Sequence, residues 1–258
     1  MFHPVITLTT DFGQADGYVG AMKGVILSLC PEATLVDISH AVRPQAIQQA
    51  AYLLSTVVPY FPPGTIHLAV VDPGVGGDRR PIVVCSERAI YVAPDNGLLS
   101  LALALDPPHL AVQIQPGGPL SATFHGRDLF APAAARLACG VDPQKLGPPI
   151  PLSGLISLPG LRPQRQSGGS WLGQVFHVDR FGNLITNLQP PVVDGQSSIR
   201  VGAARLAGLH RTFGDVAPGE LVAYVGSSGY LEIAIREGNA AGLLGVGVGD
   251  AVQVEGRP

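Results

Sequence analysis

The chain has 258 residues, 46% of them hydrophobic and only 14% charged, and its mean hydropathy is +0.30. This composition excludes intrinsic disorder, which needs few apolar and many charged residues. With 16 Lys and Arg against 19 Asp and Glu, the net charge is −3 and no basic excess exists to hold a phosphate backbone, so nucleic acid is not expected as a partner.

Residues 5–9 are β-branched and read as a strand. Residues 18–30 have helical spacing, with Val19, Met22, Val25, Ile26 and Leu29 on one face, and 34–38 read as a second strand. Residues 44–58 form an Ala- and Gln-rich helix with Pro44 in its first turn. Strands follow at 65–71, 82–86 and 89–92, then a turn at Asp95-Asn96-Gly97, a helix over 98–105 and another over 128–138. Strands alternating with helices predict an α/β domain with a largely parallel sheet over residues 1–160.

Residues 151–170 are rich in Pro, Gly and Ser, lack a period, and read as a linker. Beyond it the pattern is strand-only, at 174–178, 183–187, 198–206, 221–225, 230–235 and 251–255, separated by Gly-rich turns. This predicts a C-terminal all-β, barrel-like domain over residues 171–258.

The most apolar stretch, 98–105, is far shorter than the ~20 residues of a spanning helix. The first ten residues have neither a basic start nor a long apolar run, so no signal peptide is read, and a soluble, cytoplasmic protein without membrane partners is expected. Cys30, Cys85 and Cys139 stand far apart in the sequence in apolar surroundings and read as buried, reduced thiols. The apolar excess suggests an oligomer interface.

No phosphate-binding G-x-x-x-x-G-K-[ST] loop, no G-x-G-x-x-G after a strand and no His-Glu-x-x-His is present, so a metal has no obvious ligands and no cofactor is expected. Polar residues at strand ends remain. Asp11 and Asp16 follow the first strand and Asp72 follows another, where open parallel sheets bind ligands; Asp serves equally well in turns and helix caps. Arg79 and Arg80 lie seven and eight residues beyond Asp72, close enough for a returning loop to bring one guanidinium to the carboxylate or to leave both solvated. His125 precedes a helix, whose N-terminus favours the neutral imidazole that a general base requires. Arg127 and Asp128 beside it read as a pair or a cap. Asp179-Arg180-Phe181-Gly182-Asn183 and Gly226-Ser227-Ser228-Gly229-Tyr230 read as hairpin turns.

Taken in order, TTDFG, DPGVG-x-x-R, PDNGLL, FHGRD, DRFGNLITN, SSGYLEIA and GNAA closely resemble the S-adenosylmethionine hydroxide adenosyltransferase (S-adenosylmethionine hydrolase) family, from Thr9 to Ala241. That family shares a superfamily with fluorinating and chlorinating enzymes. The resemblance implies an N-terminal α/β domain, a C-terminal β-barrel, and a homotrimer whose active sites lie between subunits. It implies metal-independent hydrolysis of S-adenosylmethionine to adenosine and methionine. It places the catalytic trio on Asp72, Arg79 and His125, with either Asp72 or His125 taking the proton. It places the ribose hydroxyls on Asp11, the methionine end on Asp16, Asp179, Tyr224 and Ser227, and adenine on Phe181, Asn183 and the backbone near Ala240.

Three departures separate the chain from the halogenating branch: Gly126 replaces a halide-contacting serine, Asp72 a tyrosine, and Gln45 a tryptophan. A carboxylate at the nucleophile site repels halide. The alternatives are a halogenase, a non-catalytic adenosine or S-adenosylmethionine sensor, and a metal-dependent hydrolase.

Overall fold

The computed structural model describes residues 3–255; the first two residues of the leader reading and the last three of the 171–258 range lie outside it. The chain divides into two compact units, residues 1–158 and 159–258.

The first unit runs β1 (Val5–Thr10), α1 (Tyr18–Leu29), β2 (Thr34–Ser39), α2 (Ile47–Val57), β3 (Thr65–Val70), β4 (Pro81–Ser86), β5 (Ala89–Pro94), α3 (Ser100–Leu105), β6 (Pro108–Gln113) and α4 (Ala131–Ala138). Its sheet has the order β2-β1-β3-β5-β4-β6. The first four strands are parallel, and β4 is antiparallel to both neighbours. Ile6, Leu8, Ile66, Leu68 and Val83 pack against α1 and the alanines of α4 on one face. Ala69, Val71, Val84 and Tyr91 pack against α2 and α3 on the other. Period-two alternation along buried strands thus feeds two apolar layers, as burial on both faces of a parallel sheet requires.

Three details differ from the sequence reading. Helix α2 starts at Ile47 rather than 44, because Gln45 adopts a left-handed backbone (φ 66°) that no helix accepts. Strand β6 is an addition; it begins with Pro108, and a sheet edge tolerates proline at the first position. Cys139 is exposed, unlike Cys30 and Cys85.

The second unit contains β7 (Gln164–Arg165), β8 (Trp171–Val178), β9 (Leu184–Thr186), β10 (Ser198–Val201), β11 (Ala204–Ala207), β12 (Leu221–Val225), β13 (Leu231–Ile235), α5 (Ala240–Leu244) and β14 (Ala251–Glu255). The strands form an antiparallel, nearly closed, barrel-like sheet in the order β11-β10-β14-β8-β9-β13-β12, with β7 paired to β8. Val175, Leu184, Ile199, Ile233 and Val252 fill its interior. The strand-only reading is corrected by α5, which Asn239 caps by accepting from Gly242 N. The segment read at 198–206 is a hairpin that turns at Gly202.

Residues 151–170 are held on both sides of the division. Ile156 N donates to Asp95 and Leu158 N to Ser100 in the first unit, while β7 joins the sheet of the second. No helix among the described residues is long and apolar enough to cross a membrane.

Candidate active site

Thr10 and Val70 are register partners at the ends of β1 and β3, so Asp11 and Asp72 leave neighbouring strands at one edge of the sheet. The helices after β1 and β2 cover opposite faces, which makes this edge the point where strand order reverses and open α/β sheets bind ligands.

The loop after Asp72 is short and self-bonded: Val75 N donates to Asp72 O and Gly77 N to Gly74 O. Gly76 has φ 78°, and a Cβ there would meet Ala122 O at 2.5 Å, so only glycine lets the loop pass. The loop returns Arg79 to Asp72. Arg79 Nε donates to Asp72 Oδ1 and Oδ2 at 2.9 and 3.0 Å, and Nη2 donates to Oδ2 at 2.5 Å. The same Nη2 donates to His125 Nδ1 at 2.7 Å. The Arg79 and Asp72 side chains are only 10% and 5% exposed, and the Phe130 ring lies under the guanidinium at 5.3 Å. Arg80 faces the other way, pairing with Asp95 and donating to Gly154 O. Of the two arginines, one serves the sheet edge and the other anchors the segment after α4.

His125 precedes a widened (π) turn over Gly126–Phe130 that leads into α4. Burial lowers its pKa, and the Arg79 charge lowers it further, against the opposite pull of Asp72 and Asp128. Arg127 and Asp128 pair with each other at 2.6 and 2.9 Å, and Asp128 also accepts from Ser121 N. A Cβ at Gly126 would lie 3.2 Å from Met22 Sδ and Phe12 Cε2 and 3.3 Å from Phe124 Cε2. Phe124 packs edge to face against Phe12 and Tyr18 around this point, and those two rings are tilted against each other. Asp11 Oδ2 accepts from Gln45 N at 2.8 Å, and Asp16 is exposed.

In the second unit, Asp179 folds its loop around its own carboxylate. Oδ1 accepts from Phe181 N and Asn183 N at 2.9 Å, and Oδ2 from Asn183 Nδ2 at 2.8 Å. Gly182, at φ 86°, lies against the Asn239 side chain, and its carbonyl accepts from Ala241 N, which brings the loop to buried Ala240. Phe181 is 73% exposed while Asn183 is buried. Both line a cavity of about 660 Å³ with Phe213, Ile235, Arg236, Glu237 and Gly238. Tyr224 is buried and donates its hydroxyl to Glu232 at 2.7 Å; Ser227 is exposed in the turn between β12 and β13.

A family model for the N-terminal domain of SAM hydroxide adenosyltransferase matches residues 6–147, and one for the C-terminal domain matches 173–253. The chain belongs to the SAM hydroxide adenosyltransferase family. It is 44% identical to an (R)-S-adenosyl-L-methionine hydrolase of Thermus thermophilus, over 97% of this chain and 99% of that one. It is 42% identical to a protein of the same name from Salinispora tropica, over 97% of each chain. A fluorinase of Nocardia brasiliensis is more distant, at 26% identity over 98% of this chain and 97% of that one. The crystal structure of an uncharacterized conserved protein from Thermotoga maritima superposes with a TM-score of 0.88 at 35% identity, covering 96% of this chain and 99% of that one.

Within this SAM hydroxide adenosyltransferase fold, sequence reasoning missed two polar or aromatic neighbours of the candidate residues. Glu232 is the half-buried partner of Tyr224; desolvation raises its pKa, the Tyr224 hydrogen bond opposes this, and Asp179 raises it further. In the sequence it looks like an outward residue of an alternating strand. Phe213 stands beside Tyr224 at 4.8 Å and lines the cavity. Its only sequence signal is an aromatic residue in a polar turn.

Proposed function

We propose that the chain hydrolyses (R)-S-adenosyl-L-methionine to adenosine and L-methionine, by in-line attack of water or hydroxide at the ribose 5′ carbon. The Asp72–Arg79–His125 cluster carries this reading, in a chain whose relatives at 42–44% identity bear that hydrolase name. The sulfonium is already a good leaving group, so the protein's task is to place and ionise an oxygen nucleophile, and positioning alone is worth up to ~7–11 kcal/mol. Hydroxide and sulfonium neutralise each other in the transition state, which a pocket poor in water favours.

In this reading Arg79 stabilises the anionic oxygen. Arginine only donates, so His125 Nδ1 accepts and the neutral ring carries its proton on Nε2. The basic nitrogen of His125 is therefore already engaged, and we assign the water's proton to Asp72, whose oxygens keep further lone pairs. Asp11 holds the ribose hydroxyls through the oxygen not bound to Gln45. Asp16, Asp179, Tyr224 and Ser227 hold the methionine end. Phe181, Asn183 and the backbone at Ala240 hold adenine. The exposed Phe181 ring at the mouth of the second unit's cavity supports the last assignment.

In this reading the sulfonium leaves without help from a metal or cofactor. Release of adenosine and methionine from the (R) epimer, unchanged by a chelator, is the expected result; no adenosine after long incubation overturns the reading. Halogenation is disfavoured by the crowding at Gly126, where an added side chain meets Met22, Phe12 and Phe124.

We further propose a cytoplasmic homotrimer with sites completed between subunits. The charge-poor composition and the exposed Leu27 and Leu29 of α1 support an interface. Mixing two inactive variants, Asp72→Asn and Asn183→Ala, should restore part of the activity if subunits share sites; no recovery in a mixed oligomer, or a stable monomer in solution, overturns this.

A further inference from the structure

Cys30 ends α1 and Cys139 ends α4. The two residues are far apart in the chain, yet their helices pack side by side in one core layer. Cys139 Sγ donates to the carbonyl of Leu29, the residue before Cys30, at 3.4 Å. Beside burial, Cys139 also raises the pKa of the Cys30 thiol, as a neighbouring sulfur does. One sulfur of the pair is buried and the other is exposed. Cys85, the third cysteine, is buried in the sheet and takes no part in this arrangement.

We propose that Cys30 and Cys139 form a modification site: a dithiol that a peroxide converts into an intrachain disulfide joining the C-terminal ends of α1 and α4. The exposed Cys139 reacts first. Its thiolate attacks the peroxide O–O bond, giving a sulfenic acid and releasing water after protonation. The Cys30 sulfur then attacks the Cys139 sulfur, the S–S bond forms, and the hydroxyl leaves as a second water with the Cys30 proton. Two thiols are oxidised and one peroxide is reduced to two waters. Burial, reinforced by Cys139, pushes the Cys30 thiol up to about 11, so Cys30 acts as the resolving partner through proximity rather than acidity. The reaction is accordingly slow, and the product is a clip rather than a rapid sensor. Because the clip closes a long loop, it restricts the unfolded chain strongly.

The test treats the full-length protein with hydrogen peroxide at about pH 8.5, where an ordinary thiol is half ionised, then unfolds it in excess alkylating agent and maps the peptides. The expected result is a Cys30–Cys139 cross-linked peptide, two hydrogens lighter, with only Cys85 alkylated, reversed by a reducing agent. The oxidised protein should melt at least ~3 °C higher than the reduced one. Cys139→Ser should abolish both the cross-link and the gain in Tm. Alkylation of all three cysteines after peroxide treatment would overturn the proposal. So would Cys139 ending as a sulfinic acid, or cross-links found only between chains.

Discussion

Arg79 Nη2 donates to His125 Nδ1 at 2.7 Å, and this direction fixes the tautomer of the imidazole. A protonated Nδ1 would set two donors against each other. His125 is thus held neutral by geometry as well as by burial, and its pKa lies below the ordinary histidine value.

Activity should therefore stay level as the pH falls past ~6.5, where a free histidine would titrate, and decline only further down. His125→Asn places an amide oxygen near the Nδ1 position and keeps an acceptor for Arg79; His125→Ala does not. We expect the Asn variant to retain more kcat than the Ala variant and to lose any part of the acid limb due to the imidazole. A pH profile of kcat for the three proteins checks this, and an acid limb near 6.5 in the parent would contradict it.

Asp72→Asn keeps the shape of the pair with Arg79 but removes the base. We expect kcat to fall by at least ~10²-fold with a modest change in KM. Steady-state kinetics of adenosine release measures both, and unchanged kcat removes Asp72 from the proton transfer.

Gly126→Ser should not create a halogenase. The new Cβ would lie 3.2 Å from Met22 and Phe12, and overpacking of this kind costs about 1–3 kcal/mol. The expected outcome is a lower Tm, reduced hydrolysis and no 5′-halo product in high halide; a halogenated nucleoside would show that the aromatic cage yields.

Acid should destabilise the first unit through His67. This ring is buried on β3, stacked on Tyr91, and burial depresses its pKa to about 4. The unfolded chain takes up a proton near pH ~6.5 and the folded one near 4, so stability is complete above 6.5 and lost between those values. The loss attributable to His67 is about 3 kcal/mol. Denaturant titrations at pH 7 and pH 4.5 measure it, and His67→Phe should reduce the pH dependence.

Much of this architecture was legible because buried strands and helix faces are periodic. The spacing of Met22 and Ile26, or of Ile66 and Leu68, follows directly from which side meets the core. What escaped was short or broke its own pattern. Helix α5 has five residues and is defined by the Asn239 cap rather than by a face. Gln45 takes a conformation that its residue type does not announce. At the candidate site, the carboxylate and both arginines were visible; the family resemblance named Arg79, but spacing alone left open which arginine turns to Asp72, since that depends on Gly76 passing beneath Ala122 O. Glu232 was hidden for the opposite reason: alternation assigns it outward, and nothing in the sequence shows that it accepts the Tyr224 hydroxyl.

Adjacent arginines that face opposite ways also make loop length a selector. Arg79 and Arg80 carry the same head group, and the count of residues from 73 to 78, with the turn at Gly76, decides which one meets Asp72 and which one meets Asp95. Removing one residue there would bring Arg80 to the seventh position after Asp72 and Pro81 to the eighth, so the position that now pairs with Asp95 would hold no guanidinium. The spacing is as much a functional element of this chain as the side chains at its ends.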